Sequence, residues 1–392
     1  MFPKVHKFTS KTRRLYFGIA LFLSAGSICG LVIDRTSGRS LSNFEYFKKG
    51  LTPDGLHYSV QTLRILDFSD LEILKLLKSQ YDTTGIKVSE YFLNPAPWET
   101  ALVDPRVLYS FLSVPFVKLF GANGMFIVPI LSFILLTALP LLFTNYLSKN
   151  RLYFLAFSIS VILVSSFYVK YNVLANTTDG LSSLLIVSLV MYLYLIQKRN
   201  NYGFTSIGIA SVCLMACTTR QNEIYVFGIL VIFLISGGMN SLKRHFVTVM
   251  VASFTIITWL VYSFNEFSNY RLITSSDGTS LSSGNLLIAV KDLVVDLPKT
   301  IFIELSQLWL RDQGIFLLIL AAMFFLAYNK RIDFLSLSFL WCFLAGMTLT
   351  TINGGLGSGF RYALPAIFLG AIVILESAAQ VIEKEKSKSA KA

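Results

Sequence analysis

Long apolar runs are the feature that most restricts how this chain folds. Runs of about 16 to 22 residues recur along almost its whole length, and a run of that size approaches or reaches the length needed to cross a bilayer core of roughly 30 Å. Only 14% of the 392 residues are charged, and the mean hydropathy is +0.63. Soluble proteins carry about 25% charged residues. The sequence therefore predicts an all-α, multi-pass membrane protein whose first partner is the lipid bilayer.

The apolar runs divide the chain into about ten transmembrane helices and two long loops. The predicted spans are Leu15–Ile33, Met125–Tyr146, Leu152–Val169, Leu181–Ile196, Gly203–Thr218, Ile224–Gly238, Phe246–Phe264, Gly314–Tyr328, Phe334–Ile352 and Phe360–Leu375. Residues 1–376 then form a single domain, and residues 377–392 form a basic tail. The long loops, 34–124 and 265–313, are predicted to contain amphipathic surface helices.

Three segments of these loops have helical character. Residues Gln61–Gln80 have apolar side chains at helical spacing among charges, which is typical of a helix lying on the membrane surface. The segment Arg106–Phe120 is apolar but too short to span, which favours a surface or re-entrant helix. The end of the second loop, from about Leu286, is amphipathic as well.

The net charge of +12 is distributed as expected for a membrane protein. Basic residues cluster at both ends of the chain and in alternate short loops, and such clusters mark the cytoplasmic side. Both termini are therefore predicted to be cytoplasmic and both long loops extracytoplasmic. No nucleic-acid partner is implied. No retention signal ends the chain, which favours the plasma membrane of a bacterium.

The first outer loop contains the motif Pro53-Asp54-Gly55-Leu56-His57-Tyr58. An Asp-Gly pair after proline is typical of a turn with an exposed carboxylate. Asp34, at the end of the first predicted span, is the rival carboxylate of this loop. Each residue has a purely structural alternative: Asp54 lies in a solvated turn, and Asp34 ends a helix at the membrane interface.

The topology places the remaining charged candidates on the same outer side. They are Asp179, Arg220, Glu223 and Arg361, with Tyr362 beside the last. Two alternatives stay open: Asp179 caps the fourth span, and Arg220 pairs locally with Glu223. The middles of the spans hold almost no ionisable residues, which argues against an ion-coupled transporter.

The order and sidedness of these motifs resemble the C-type membrane glycosyltransferases (the GT-C fold), such as protein O-mannosyltransferases and the transferases that modify lipid A or wall glycans. The resemblance covers most of the chain up to Pro365 through short motifs: Asp54-Gly55-Leu56-His57-Tyr58, Arg106-Val107-Leu108-Tyr109, Leu119-Phe120-Gly121, Thr178-Asp179, Thr219-Arg220-Gln221-Asn222-Glu223 and Arg361-Tyr362-Ala363-Leu364-Pro365. Two features depart from the family pattern. The first motif is Asp-Gly rather than Asp-Glu, and the second outer loop has one acid rather than two.

The resemblance implies transfer of a sugar from a polyprenyl-phosphate donor to a glycan, lipid or protein acceptor. Asp54 is then the catalytic base, with Asp34 as its rival. The substrate-binding residues are His57, Tyr58, Asp179, Arg220, Glu223, Arg361 and Tyr362. A divalent metal stays open as a cofactor, although no ligand cluster supports one. The competing functions are a transporter or flippase for lipid-linked sugars and a surface-polysaccharide polymerase or ligase.

Overall fold

The computed structural model describes residues 15–16, 18–20, 22–24, 26, 53–81, 93, 106–147, 152–174, 178–199, 205–219, 222–236, 246–247, 249–258, 286–329, 333–352 and 360–389. All regular secondary structure within these residues is helical, which confirms the predicted all-α class. The described part of the first predicted span, between residues 15 and 26, is helical too. Asp34 and Arg220 lie outside the described residues, as do residues 34–52, 82–92, 94–105 and 265–285 of the two long loops.

Beyond residue 26, the described residues form fourteen α-helices and one 3₁₀ turn. In chain order they are α1 (Pro53–Ile65), α2 (Asp70–Tyr81), α3 (Val107–Phe120), a 3₁₀ turn (Gly121–Phe126), α4 (Ile127–Tyr146), α5 (Tyr153–Ser165), α6 (Phe167–Leu174), α7 (Asp179–Arg199), α8 (Thr205–Thr219), α9 (Glu223–Ser236), α10 (Val249–Thr258), α11 (Leu286–Arg311), α12 (Gln313–Asn329), α13 (Phe334–Ile352) and α14 (Leu364–Ser389).

Four of the described helices are long and apolar enough to cross a membrane. These spans are Asn123–Tyr146, Asp179–Lys198, Phe334–Thr351 and Leu364–Glu385. Helices α5 and α6 add a fifth span if the bent pair is counted as one. The predicted spans at α8, α9, α10 and α12 appear as apolar helices of 10–17 residues, and at 1.5 Å per residue these are shorter than a core of roughly 30 Å.

Helix α14 is the centre of the bundle. Of its most apolar stretch, within Leu364–Glu385, 78% is buried inside the protein. The helix packs against α4, α5, α7, α12 and α13. Its first three turns consist almost entirely of Ala, Ile, Leu, Phe and Val, so every face can be buried in protein. The helix continues without interruption to Ser389, through the segment predicted to be a tail.

The first outer loop folds into helices that pack on the bundle. Ser69 and Glu72 form a capping box at the start of α2: the Ser69 backbone N–H and hydroxyl donate to Glu72 Oε2 at 2.9 and 2.6 Å. The hydrogen bond from the Ser69 hydroxyl, with a smaller effect of the bond from the Ser69 backbone N–H, holds the pKa of the Glu72 carboxyl below its usual range. The predicted single helix Gln61–Gln80 is therefore two helices, because this cap starts a new one after Ile65.

Most apolar side chains on the inner faces of α1 and α2 are buried in protein, whereas Ile65 and Leu71 are exposed. Leu63, Ile73 and Leu77 are buried in one cluster with Tyr109 of α3 and Leu181 of α7. The prediction that this amphipathic face rests on the membrane surface was therefore wrong. Tertiary contact with α3 takes the place of lipid, because the loop folds back onto the bundle.

The third predicted span, Leu152–Val169, is broken. Helix α5 ends at Ser165, and α6 departs from it at 66°. Asp312, at the start of α12, stabilises the break: its Oδ2 accepts the Ser166 hydroxyl at 2.5 Å and the Tyr168 N–H at 3.2 Å. A carboxylate that is distant in sequence thus satisfies the first donors of α6.

Gly346 allows α13 to contact the turn that precedes α14. A Cβ at position 346 would lie 2.5 Å from Cα of Ala363. We expect Gly346→Ala to destabilise the protein by about 1–3 kcal/mol despite the better helix propensity of alanine, because backbone atoms cannot move aside. The measurement is the thermal unfolding midpoint in detergent. Gly18→Ala is the matched control, since nothing lies within 4 Å of its Cβ position; equal midpoints for the two variants would contradict the contact.

Candidate functional site

A four-residue turn, Phe360 to Ala363, is fixed by four separate helices. The Phe360 N–H donates to Glu304 Oε2 of α11 at 3.0 Å. Arg361 pairs with Asp179 of α7, and the carbonyl of Tyr362 accepts the hydroxyl of Tyr225 from α9 at 2.5 Å. Ala363 rests on Gly346 of α13. Phe360 has φ 63°, which is rare without glycine and persists only where surrounding contacts determine the backbone.

The ion pair between Arg361 and Asp179 is the main electrostatic feature of this turn. Arg361 Nε lies 2.7 Å from Asp179 Oδ2. The Asp179 side chain is 2% exposed, whereas the Arg361 side chain is 32% exposed. The carboxylate is therefore inside the protein and orients a guanidinium that reaches the surface. The sequence predicts a shared boundary for the two residues, but not that they pair with each other.

Asp179 also keeps the capping position predicted for it. It is the first residue of α7, where the helix dipole favours a negative charge. The two roles are compatible, because one carboxylate can face both the helix start and Arg361. Removal of Asp179 is therefore expected to affect both the start of α7 and the orientation of Arg361.

Buried acids and exposed bases alternate around the same end of the bundle. Asp179, Glu304 and Asp312 are all buried, while Arg361 and Arg311 retain exposure. Tyr171 of α6 interacts electrostatically with Arg361. Tyr168, one turn earlier, interacts with Arg311. The charge presented to a ligand here is cationic, and guanidinium groups suit the oxygens of phosphate.

The link between α8 and α9 is organised by Asn222. Its Oδ1 accepts the Ser182 hydroxyl of α7 at 3.0 Å, and its Nδ2 donates to the carbonyl of Ala216 at 2.8 Å. The sequence directs attention to the charged neighbours Arg220 and Glu223 instead. Glu223 is the first residue of α9. Its predicted pairing with Arg220 involves a residue outside the described part of the chain and stays a prediction.

The motif around Asp54 is helical rather than a turn. Helix α1 begins at Pro53, which suits proline because its missing N–H would have no helical partner there. The Asp54 backbone thus lies in the first turn of α1, and the described part of the structure does not include its side chain. His57 is 8% exposed and Tyr58 is 0% exposed. Because Tyr58 is fully buried, it cannot contact a ligand in this conformation. The ligand contact predicted for Tyr58 would have to be made by a neighbouring residue.

Arg106 is the neighbour of Tyr58 that keeps some exposure. Its Nη1 donates to the Tyr58 hydroxyl at 3.0 Å, and the Tyr58 ring packs edge-on against Tyr109, with centroids 5.3 Å apart. The contact joins α1 to the start of α3. Leu56 and Tyr58 also share an apolar cluster with Leu181, two residues after Asp179. The start of α1 and the start of α7, which carries the ion pair, therefore contribute to one apolar cluster.

Metal ligands are not clustered in the described part of the chain. No group of three or more His, Cys, Asp or Glu side chains there could hold a metal ion. Cys213, Cys217 and Cys342 are buried in helices.

Comparison with known proteins gives no relative for this chain. No protein-family model, no curated protein and no solved structure matches it. The function therefore has to be argued from the residues and from the geometry at the Phe360–Ala363 turn.

The sequence does not indicate most of the residues that fix this turn. Glu304 is predicted to be extracytoplasmic, but no local pattern indicates that it binds the Phe360 backbone. Tyr225 lies in an apolar segment, where a hydroxyl is easily taken for a packing residue. Its position two residues after the motif Thr219-Arg220-Gln221-Asn222-Glu223 is the one sequence signal that could have indicated it.

Proposed function

We propose that this protein is an integral membrane glycosyltransferase that takes a sugar from a polyprenyl-phosphate donor at the extracytoplasmic face. The observation that carries the proposal is the partly exposed guanidinium of Arg361 oriented by the buried carboxylate of Asp179. Arginine presents donors in a planar fork that matches phosphate oxygens.

Stability alone is a weak reason for such a pair. Replacing a buried ion pair with apolar residues is often neutral or stabilising, because the charges lose their hydration on burial. A pair with one buried and one exposed member makes better sense as a ligand site. Asp179 limits the motion of Arg361, so less conformational entropy is lost when a phosphate binds.

The second part of the proposal is a carboxylate that takes the proton of the acceptor hydroxyl. Asp54 is the proposed base, and Asp34 is its rival. A general base of this kind contributes about 10²–10⁴-fold to the rate. The Asp54 backbone lies in the first turn of α1.

The proposed topology has ten spans, with both termini cytoplasmic and both long loops outside, in the plasma membrane of a bacterium. The alternation of basic loops supports this arrangement. In it, α1, α2, α11 and the Phe360–Ala363 turn all belong to the outer side. The acceptor is then a glycan, lipid or protein of the cell envelope.

Labelling of a cysteine at position 79 tests this topology. Ser79 is exposed on α2 and its hydroxyl bonds only within its own helix, to the carbonyl of Leu76 at 2.9 Å. We expect Ser79→Cys, in a background without native cysteines, to react with a membrane-impermeant maleimide on intact cells. Lys198→Cys, at the opposite end of α7, is the control and should react only after permeabilisation. The reverse pattern would invert the proposed orientation.

The transporter or flippase alternative has one observation in its favour. The break between α5 and α6 resembles the discontinuous helices that bind substrates in transporters. At this break, however, Asp312 already accepts the Ser166 hydroxyl and the Tyr168 N–H. A substrate anion would have to displace a carboxylate of the protein itself, which favours the glycosyltransferase. The polymerase or ligase alternative uses the same cationic surface.

Mass spectrometry of envelope glycans tests the proposed function in cells. Cells that lack the protein should lose one sugar from a single class of glycan. The wild-type gene should restore that sugar, whereas Arg361→Ala should not. Loss of the sugar together with lipid-linked donor accumulating on the cytoplasmic leaflet would instead favour a flippase, and unchanged glycans would contradict both functions.

A further inference from the structure

Helix α11 has two apolar faces, although its sequence suggests a simple amphipathic helix. The inner face packs on the bundle through Leu297, Ile301, Leu305 and Leu308. Thr300 and Glu304 lie on this side as well, where they bond to Thr351 and to the Phe360 backbone. The helix contacts Thr351 near the end of α13 through Thr300, and the residue that follows it, Asp312, bonds to Ser166 at the break between α5 and α6.

The outer face of α11 is apolar and exposed. Its members, each half or more exposed, are Val294, Val295, Phe302, Trp309 and Leu310. Exposed Lys299 and Arg311 flank them. A tryptophan between apolar residues, with basic side chains beside it, is typical of a helix at the membrane interface.

This outer face continues into a face of α12 that has the character of a lipid-facing surface. Leu317, Leu320, Phe324 and Tyr328 are exposed at helical spacing along α12, which is apolar throughout. At the corner between the two helices the Trp309 and Phe316 rings pack edge-on with centroids 5.2 Å apart. This ring pair joins the stripe on α12 to the outer face of α11 beside the exposed polar residues Arg311 and Gln313.

We infer that the outer face of α11 is embedded in the interface of the outer leaflet, with lipid as its occupant. Lipid fits the face in two ways: its acyl chains match the large apolar side chains, and its phosphates match Lys299 and Arg311. An interfacial helix buries its apolar face about 5–10 Å into the boundary between headgroups and chains. The segment is thus a membrane-bound strap rather than part of a water-exposed loop.

The strap connects the lipid surface to the Phe360–Ala363 turn. Phe302 and Glu304 are two residues apart, so one faces lipid while the other is buried and accepts the Phe360 N–H. Lipid contact on the outer face therefore determines the depth at which Arg361 meets the bilayer boundary. This inference does not depend on the reaction, because a flippase would use the same depth.

Tryptophan fluorescence of the full-length protein in vesicles tests the inference. Subtracting the Trp309→Phe spectrum from the wild-type spectrum isolates Trp309 without altering the other tryptophans. With phosphatidylcholine brominated near the headgroup, we expect loss of most of the Trp309 signal. Lipid brominated near the chain end should quench it less, and aqueous iodide should quench it little.

The controls separate the possible occupants. The same subtraction with Trp341→Phe should show weak quenching by every agent, because the indole of Trp341 packs beside Gly228 and donates to the Ile224 carbonyl at 3.0 Å. Phe302→Trp in the Trp309→Phe protein supplies a second reporter on the outer face. Quenching of both reporters by iodide alone would overturn the inference in favour of a water-exposed loop. Protection of both reporters from every quencher would overturn it in favour of a second protein copy.

Discussion

Asp54→Asn is expected to lower turnover by about 10²–10⁴-fold while leaving donor binding nearly unchanged. The amide has the size and polarity of the carboxylate but cannot accept a proton at neutral pH. Because the residue lies in the first turn of a helix, loss of the charge should cost little stability. The measurement is transfer from a polyprenyl-phosphate sugar by the purified variant, with donor affinity determined separately.

Two further variants make this result interpretable. Asp70→Asn makes the same change in the first turn of α2, where the carboxylate pairs with Arg64 at the surface, and it should retain normal turnover. Asp34→Asn tests the rival base. If Asp34→Asn is inactive and Asp54→Asn turns over normally, the base is Asp34 and the assignment of Asp54 is wrong.

Among the substitutions proposed here, Arg361→Ala is expected to lower the free energy of unfolding the most. It leaves the carboxylate of Asp179, which is 2% exposed, without its cation. Breaking a buried pair in this way costs roughly 3–5 kcal/mol, and the partial exposure of Arg361 places the expected value at the lower end. Chemical denaturation in detergent measures this change. Arg64→Ala, which removes the exposed partner of Asp70, is the control and should cost about 1 kcal/mol or less.

The double variant Asp179→Asn with Arg361→Ala separates stability from ligand binding. It removes the uncompensated charge, so we expect it to recover most of the stability lost in Arg361→Ala. Donor affinity should not recover, because the guanidinium is still missing. Arg361→Lys should bind the donor only weakly, since an ammonium replaces a planar fork. A double variant that binds donor as well as the wild type would exclude Arg361 as the phosphate ligand.

Hydrophobic runs predict many helices of this fold well, because burial in lipid or protein requires the same apolar composition. The segment Phe334–Ile352 is predicted and observed with identical bounds. The break at Ser166 could not be predicted, since no proline or glycine is present and the stabilising Asp312 is 146 residues away in sequence. The packing of α1 and α2 could not be predicted either. Their apolar faces suit contact with lipid equally well, and only the structure shows that they pack in one cluster with Tyr109 of α3.

The location of Asp179 and Arg361 at one end of the bundle was predictable, but the contacts of the site were not. Charge alternation alone predicts that Asp179 and Arg361 lie at one boundary, and the 2.7 Å ion pair agrees with that expectation. The roles of Glu304 and Tyr225 depend on hydrogen bonds to the backbone of the Phe360–Ala363 turn, which leave no pattern in sequence. The helical start at Pro53 was missed because Pro-Asp-Gly suits both a turn and a helix N-terminus.

Sugar transfer by the purified protein in proteoliposomes tests the central claim most directly. The donor is a polyprenyl-phosphate sugar placed in the leaflet that faces the outer loops, and envelope glycans, lipids and proteins are supplied as acceptors. We predict a covalently glycosylated acceptor and free polyprenyl phosphate in equal amounts with wild-type protein, and neither product with Arg361→Ala. Movement of the intact lipid-linked sugar between leaflets, with no glycosylated product, would contradict the glycosyltransferase and identify a flippase.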